Sequence, residues 1–157
     1  MAGQGLKADG SAGEAVSDLE DLVGYNLKRA YLTVQTDFRA ALGEDGLSPR
    51  HFSALALVVG FPHITQSALA RKLGIERSGL VAIVDDLERS AYLGRAPVPG
   101  DRRVQALVPT AAGEAAYGEA LRKVRAHEAC LLGDMTEEEQ ATLIRLLRQI
   151  RARDGEA

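Results

Sequence analysis

Side chains that can hydrogen-bond to nucleic acid gather in the middle of the chain, between Thr65 and Arg103. Arginine can donate two parallel hydrogen bonds to a guanine edge or to a phosphate, and hydroxyl and amide groups can bond phosphates or bases. Residues of these types predict contacts with double-stranded DNA. With the glycine and the aspartate that lie among them, the candidates are Thr65, Gln66, Ser67, Arg77, Ser78, Gly79, Arg95, Asp101, Arg102 and Arg103.

Two short helices must position the first of these side chains. Thr65 can cap a helix that Gly74 ends, and Ile64 can pack on Leu69 just inside it. A second helix follows, with apolar residues at i, i+3, i+4 and i+7, namely Leu80, Ile83, Val84 and Leu87. The pattern predicts a helix-turn-helix that presents its second helix, although an ordinary helical corner has the same pattern.

A β-hairpin is predicted next, because the hydrophobic pattern after Gly94 changes to period two. Pro97, Pro99 and Gly100 interrupt the pattern and predict a loose tip. A second helix followed by a basic-tipped hairpin is typical of a winged helix-turn-helix, in which the helix enters the major groove and the wing reaches the minor groove.

The wing tip carries Asp101, Arg102 and Arg103. We expect Arg103 to enter the minor groove, Asp101 to brace it and Arg102 to bind a phosphate. A solvated salt bridge in the turn is the alternative. Arg77 is expected to contact a base or a phosphate from the start of the second helix, and capping is the expected main role of Thr65.

The chain resembles the MarR multiple-antibiotic-resistance regulators between Asp18 and Arg151. The motifs that carry the resemblance are Gln66–Ala70, Arg77–Ser78, Val84–Asp85, Leu87–Glu88, Leu93–Arg95, Asp101–Arg103 and Val108–Gly113. The resemblance implies a homodimeric bacterial transcription factor, usually a repressor that a small ligand releases from DNA.

The second helix departs from the family pattern at three positions. Members often carry threonine, arginine and a basic residue where this chain has Gly79, Ala82 and Asp86. Few side chains are then left to read bases, so direct readout is expected to rest on Arg77 and Ser78. Acidic side chains on this helix would repel phosphates if they faced the DNA.

Composition and charge fit a regulator with a basic surface on an acidic body. The 157 residues are 46% apolar and carry a net charge of −3. Between Ile64 and Val108, seven basic residues stand against five acidic ones, so this segment carries +2 and the remainder −5. The distribution of charge is more informative than the total. No transmembrane or secretory segment is recognisable, so the chain is expected to be cytosolic, with no membrane partner.

The predicted fold is mainly α with a small β-hairpin wing, a winged helix-turn-helix whose N- and C-terminal helices form a homodimer. Residues 1–16 are expected to be a disordered tail, residues 17–46 and 110–152 to be dimerisation helices, and residues 47–109 to bind DNA. Capping boxes at Ser17 and Thr136 open two of the long helices, and Ser48 and Thr110 cap two others.

Apolar stripes on the terminal helices are too wide for the surface of a monomer, and a second copy is the simplest cover. A two-fold dimer would place two recognition helices about 34 Å apart, which predicts a pseudo-palindromic operator.

By resemblance, a ligand crevice lies near the junction of the dimerisation helices and the DNA-binding unit. The run from Gly24 to Ala30 is similar to a branch of the family that controls degradation of aromatic acids, so the expected effector is an aromatic acid or its coenzyme A thioester. Core packing of the rings and solvation of the arginines is the alternative. The candidate ligand contacts are Tyr25, Lys28, Arg29, Phe38, Arg39, His51 and Phe52.

Other functions have weak support in the sequence. It contains no GxSxG, HExxH, CxxC or phosphate-cradling glycine loop, so neither an enzyme nor a cofactor is expected. His127 and Cys130 are too few for a zinc site. Cys130 is expected to be a buried packing thiol rather than a redox sensor. A winged-helix dimer that only binds other proteins is the alternative function.

Overall fold

The computed structural model describes residues 18–43, 46–98 and 101–152, and their side chains except those of residue 98 and residues 101–104. The predicted tail at 1–16 lies outside this part. The elements are α1 (Val23–Leu42), α2 (Pro49–Gly60), β1 (Ile64–Thr65), α3 (Gln66–Leu73), α4 (Arg77–Arg89), β2 (Leu93–Val98), β3 (Asp101–Pro109), α5 (Ala111–Leu131) and α6 (Glu137–Ala152). The prediction of a mainly helical winged fold is confirmed.

The chain divides into two compact units within α1, after Thr36. In the first unit, the predicted continuous helix from Ser17 is wrong in its continuity: residues 18–20 are helical, the helix is interrupted at Asp21 and Leu22, and α1 begins at Val23. The side chain of Asn26 donates to the backbone carbonyls of Glu20 (2.5 Å) and Leu22 (3.0 Å). A side-chain amide thus bonds carbonyls just ahead of the helix, and such local bonds compete with helix continuation. Ser17 itself lies outside the described residues.

The second unit contains a three-stranded antiparallel sheet in the order β1-β3-β2. The predicted hairpin is its β2-β3 pair, in which Arg95 lies opposite Leu107 and the register shifts between Pro97 and Val98. The strand β1 was not predicted, because two residues are too short for a recognisable alternation. It pairs Ile64 with Leu107 and so joins the entrance of α3 to the wing.

The main core lies between α2, α3, α4 and the sheet. The four apolar residues predicted on the inner face of α4 are all buried, as are Leu55, Val58, Leu69 and Leu107. Both helices of the helix-turn-helix therefore have one face in this core. Gly74 ends α3 in the left-handed conformation, with φ of 66°, as predicted.

A smaller core joins the end of α1 to α5. Leu42, Ala120 and Val124 are buried there, and Phe38 and Phe52 pack against them. The two rings meet edge to face, with centroids 5.6 Å apart. Core packing of these rings, one of the two readings of the sequence, is thus present in the structure.

Helix caps form as the sequence predicts. Ser48, Thr65 and Thr110 accept hydrogen bonds from backbone amides at the starts of α2, α3 and α5. At α6, Thr136 and Glu139 form the reciprocal pair of a capping box, with the Thr136 amide donating to Oε2 of Glu139 at 2.8 Å. This bond lowers the pKa of the Glu139 carboxyl.

Helix α6 is exposed along its length, including five large apolar residues: Leu143, Ile144, Leu146, Leu147 and Ile150. Cys130 is also exposed, so its predicted burial is wrong. The buried positions of α5 are Gly113, Ala120 and Val124, nearer its start, and the turn that carries Cys130 has none. In the described part of the chain, no helix has both the length and the apolar character of a membrane span.

Candidate nucleic-acid interface and adjoining cavity

The outer face of α4 is a continuous exposed surface. It is formed by Arg77, Ser78, Val81, Ala82 and Asp85, opposite the buried inner face. Gly79 is exposed beside it. Because residues three and four apart share a helix face, the two predicted base-reading residues lie on the same side as Val81 and Ala82. This surface, called here the outer face of α4, can enter a groove without disturbing the core.

The residues predicted on α3 differ in accessibility. The Thr65 hydroxyl accepts from the Ala68 amide at 3.2 Å, so its predicted capping role is confirmed. Thr65 and Gln66 are half-buried, whereas Ser67 is exposed. Of these three residues, Ser67 therefore has the side chain that DNA can reach most easily.

The acidic residues of α4 have basic partners. Asp86 accepts from Arg89 at 2.6 Å and lies 3.2 Å from Nε2 of His51. The hydrogen bonds from Arg89 and then His51 lower the pKa of the Asp86 carboxyl. Glu88 and Asp85 both face Arg95, so all three carboxylates are at least partly compensated within the subunit.

Arg95 joins the wing to α4. Its Nε and Nη2 donate to the Glu88 carboxylate at 2.8 and 2.7 Å, and its Nη2 lies 3.6 Å from Asp85. The hydrogen bonds to Glu88 raise the pKa of Arg95. A fork of this kind is stronger and more directional than a lone ion pair. The structure therefore places Arg95 against α4, and its predicted DNA contact stays a prediction.

The predicted minor-groove contacts lie at the beginning of β3. Asp101, Arg102 and Arg103 are in this strand, and Asp101 lies opposite Val98. Their side chains are outside the described part, so their roles remain predictions.

A cavity of about 600 Å³ lies behind α4 in the second unit. Its lining comes from the α1–α2 connection, α2, α4, the turn before β2, and α5. The polar side chains at its wall are Ser48, His51, Asp86, Ser90, Tyr92, Glu119 and Lys123. Lys123 Nζ lies 3.3 Å from Glu119, one helical turn away on α5.

Of the predicted ligand contacts, only His51 lines this cavity. His51 lines the cavity, whereas Phe38, Arg39 and Phe52 are not among its lining residues. Phe52 instead packs between Phe38 and Tyr117, with its ring 5.8 Å from that of Tyr117. Arg39 is exposed in the last turn of α1.

The three remaining ligand candidates lie on α1 in the first unit. Tyr25 is half-buried, and Lys28 and Arg29 are exposed. Their predicted contacts with a ligand remain predictions.

Sequence reasoning missed the cavity residues Asp86, Tyr92, Glu119 and Lys123. Glu119 and Lys123 have the i, i+4 spacing of a helix pair, which a sequence shows, but nothing local places α5 beside α2 and α4. Val81 was also missed as a surface residue. Its side chain belongs to a helix face that is otherwise polar or small, and 42% of it is exposed.

Metal binding has no geometric support in the described residues, where no three histidine, cysteine or acidic side chains cluster. His127 is half-buried, and its Nε2 has no hydrogen-bond partner.

Comparison with known proteins gives a consistent result. Residues 45–104 match the model of the MarR family. A protein of Thauera aromatica, described as a putative transcriptional regulatory protein for the hcr operon, is 29% identical over 151 residues, covering 90% of this chain and 91% of the relative.

Two solved structures of the transcriptional repressor CouR are also similar. The one bound to a 23-mer DNA duplex is 35% identical with a TM-score of 0.80, covering 85% of this chain and 95% of its own. The one bound to p-coumaroyl-CoA is 32% identical with a TM-score of 0.76, covering 85% and 94%. These relatives are regulators and not enzymes, in agreement with the absence of a catalytic motif.

Proposed function

The chain belongs to the MarR family of winged-helix transcriptional regulators, and from that premise we propose that it is a ligand-responsive repressor. It binds a pseudo-palindromic operator as a homodimer in the cytoplasm. A small aromatic acid or its coenzyme A thioester releases it from DNA. The proposal is supported by the similar CouR structures, one bound to DNA and one to p-coumaroyl-CoA.

The observation that carries the proposal is the outer face of α4. Arg77 and Ser78 can donate to bases or phosphates, and Val81 and Ala82 offer apolar contacts to a thymine methyl group. The acidic residues nearby have basic partners, which reduces their repulsion of phosphates. Ser67 and the predicted wing residues Arg102 and Arg103 add contacts to phosphate and the minor groove.

Dimerisation is supported by the exposed apolar residues of α6. They are 38–50% exposed and recur at helical spacing, so one face of the helix presents an apolar stripe. We propose that residues 17–46 and 110–152 form the dimer and residues 47–109 bind DNA. A second copy covering these helices would set the separation of the two recognition helices.

The cavity has the size of an effector site, and its wall carries Lys123, paired with Glu119, as well as His51 and Asp86. Its volume of about 600 Å³ falls within the range of ligand pockets, about 300–1,000 Å³. Lys123 and His51 offer positive or hydrogen-bond-donating groups at its wall. A coenzyme A thioester would place its aromatic acyl group there, with its phosphates reaching outward. Tyr25, Lys28, Arg29, Phe38, Arg39 and Phe52 remain proposed effector contacts.

The effector would act by changing the spacing of the two recognition helices. Because coupling between two sites is reciprocal, operator DNA should weaken effector binding by the same factor by which the effector weakens operator binding. Isothermal titration with and without operator measures this factor, and equal effector affinities in the two cases would contradict it.

The DNA-binding proposal is tested with fluorescently labelled DNA from upstream of the protein's own gene. Arg77→Ala should weaken binding by about 1–3 kcal/mol, roughly 5- to 150-fold. Arg145→Ala, which removes an exposed arginine from the side of α6 away from Leu147, is the control and should bind like the wild type. If the wild type fails to shift the DNA even at low salt, the alternative of a protein-interaction module is favoured instead.

A further inference from the structure

His51 connects α2 to the recognition helix α4. Its Nε2 lies 3.2 Å from Oδ2 of Asp86, and its Nδ1 lies 2.5 Å from Oγ of Ser48, the cap of α2. An ionised carboxylate can only accept, so Nε2 must carry a hydrogen and donate it to Asp86. The lowered pKa of Asp86 agrees with an ionised carboxylate.

Both ends of this hydrogen bond line the cavity of about 600 Å³. The His51 side chain is 25% exposed and that of Asp86 is 47% exposed, so a molecule in the cavity can reach either. Lys123 also lines the cavity, paired with Glu119 at 3.3 Å, and offers a positive group to an anion there. The contact between the two helices is therefore open to competition from a ligand.

We propose that the hydrogen bond from His51 to Asp86 transmits the state of the cavity to the DNA-binding surface. When the effector binds, one of its carboxylate or carbonyl oxygens accepts the hydrogen bond from Nε2 of His51. Asp86 is then released from α2. His51 and Asp86 are thus positioning residues for operator binding. The inference rests on the proposed function, because it specifies how the effector of that function acts.

The arrangement around Asp86 favours its replacement by an effector oxygen as the hydrogen-bond acceptor for His51. Nε2 carries a single hydrogen, so it serves one acceptor well at a time. After the exchange, Asp86 still accepts from Arg89 at 2.6 Å and is not left uncompensated. Arg89 belongs to the same helix as Asp86, three residues on, so this remaining bond cannot hold α4 to α2.

Operator binding without any effector provides the first test. Dissociation constants are measured by fluorescence anisotropy for His51→Phe, Asp86→Ala and the double variant, with thermal melts to verify folding. Each single variant should weaken binding about three- to tenfold, and the double variant should be no weaker than the poorer single one, since one shared contact is lost. Unchanged binding, or losses that multiply, would overturn the inference.

Two further variants separate this role from a general loss of structure. His51→Gln keeps a side-chain N–H that can donate to Asp86 and should recover most of the operator affinity. Arg89→Lys keeps a positive partner for Asp86 within the same helix and should leave operator affinity within about twofold of the wild type. A larger loss in Arg89→Lys than in His51→Phe would contradict a cross-helix contact.

The second test uses p-coumarate and p-coumaroyl-CoA as probes. In the wild type, the probe that binds should weaken operator binding by about three- to tenfold, the same loss as in His51→Phe, because both break one contact. In Asp86→Ala this factor should fall close to one, and Arg89→Lys should keep the wild-type factor. The same factor in Asp86→Ala and the wild type would overturn the inference. If neither probe binds the wild type, the proposed effector class fails, and the operator measurements still decide the role of His51.

Discussion

At the scale of single residues, the acidic side chains of α4 show what a sequence can and cannot predict. Asp85, Asp86 and Glu88 are recognisable as obstacles to phosphate binding from their types and positions. Their principal partners are His51, thirty-five positions before Asp86, Arg95 on β2, and Arg89 nearby. Only the near partner has a spacing that a helix predicts. The negative charges of this helix are therefore compensated largely by residues that only the tertiary structure brings close.

Val81 gives a prediction at this scale. An exposed valine beside Arg77 and Ser78 can contact the 5-methyl group of thymine in the major groove. Replacing one operator thymine at a time by deoxyuridine removes only that methyl group. At one position per half-site, wild-type binding should weaken by about 0.8 kcal/mol, roughly fourfold.

The matched variant is Val81→Ala. It should bind the thymine operator less well and lose the sensitivity to deoxyuridine at that position, which a competition assay over all thymines would show. Sensitivity that survives in Val81→Ala, or that occurs at no position in the wild type, would rule out this contact.

At the scale of elements, helix starts were the most predictable feature. Serine or threonine caps at positions 48, 65, 110 and 136 all form, because a cap is a local hydrogen bond between residues three apart. The two-residue strand β1 and the interruption of the helix just before α1 were not predictable in this way. The first depends on pairing with Leu107, and the second on the side chain of Asn26.

The junction of β2 and α5 gives a prediction at this scale. A Cβ added at Gly113 would lie 2.0 Å from the Tyr92 carbonyl oxygen, a backbone atom that cannot move without disturbing the start of the wing. Gly113→Ala should therefore destabilise the fold by about 1–3 kcal/mol. Urea unfolding followed by circular dichroism measures this loss.

Gly118→Ala is the control in the same helix. No atom lies within 4 Å of a Cβ at Gly118, and alanine favours a helix over glycine by about 1 kcal/mol. The control should unfold at the same or a higher urea concentration than the wild type. Equal destabilisation by the two substitutions would show that the contact with Tyr92 is not what matters.

At the scale of the whole molecule, the apolar stripe of α6 is the feature that one subunit leaves exposed. The sequence predicted that a partner would be needed, because the stripe is too wide for a surface helix, and in the structure these residues are exposed. The position of a second copy does not follow from one chain. The cavity was likewise unpredictable, since its walls come from segments between Leu42 and Lys123.

Dimerisation is testable with two substitutions that each add one carboxylate to α6. Leu147→Asp places the charge in the apolar stripe, where burial against a partner would cost several kcal/mol. It should convert a particle of twice 16.8 kDa into a monomer in sedimentation experiments and weaken operator binding by roughly tenfold or more.

Gln149→Asp is the control, because Gln149 lies on the other side of the helix. This variant should sediment and bind like the wild type. A wild type that sediments as a monomer at micromolar concentration would contradict both the dimer and the predicted palindromic operator.

The fork between Arg95 and Glu88 ties the wing to α4 within one subunit. In the proposed complex, this tie would fix the phase between the bases that α4 contacts in the major groove and those that the wing contacts in the adjoining minor groove. One inserted base pair would rotate the second contact by about a tenth of a turn. Within a half-site, a change of length should therefore weaken operator binding more than a change of one base. We expect half-site length itself to contribute to operator specificity.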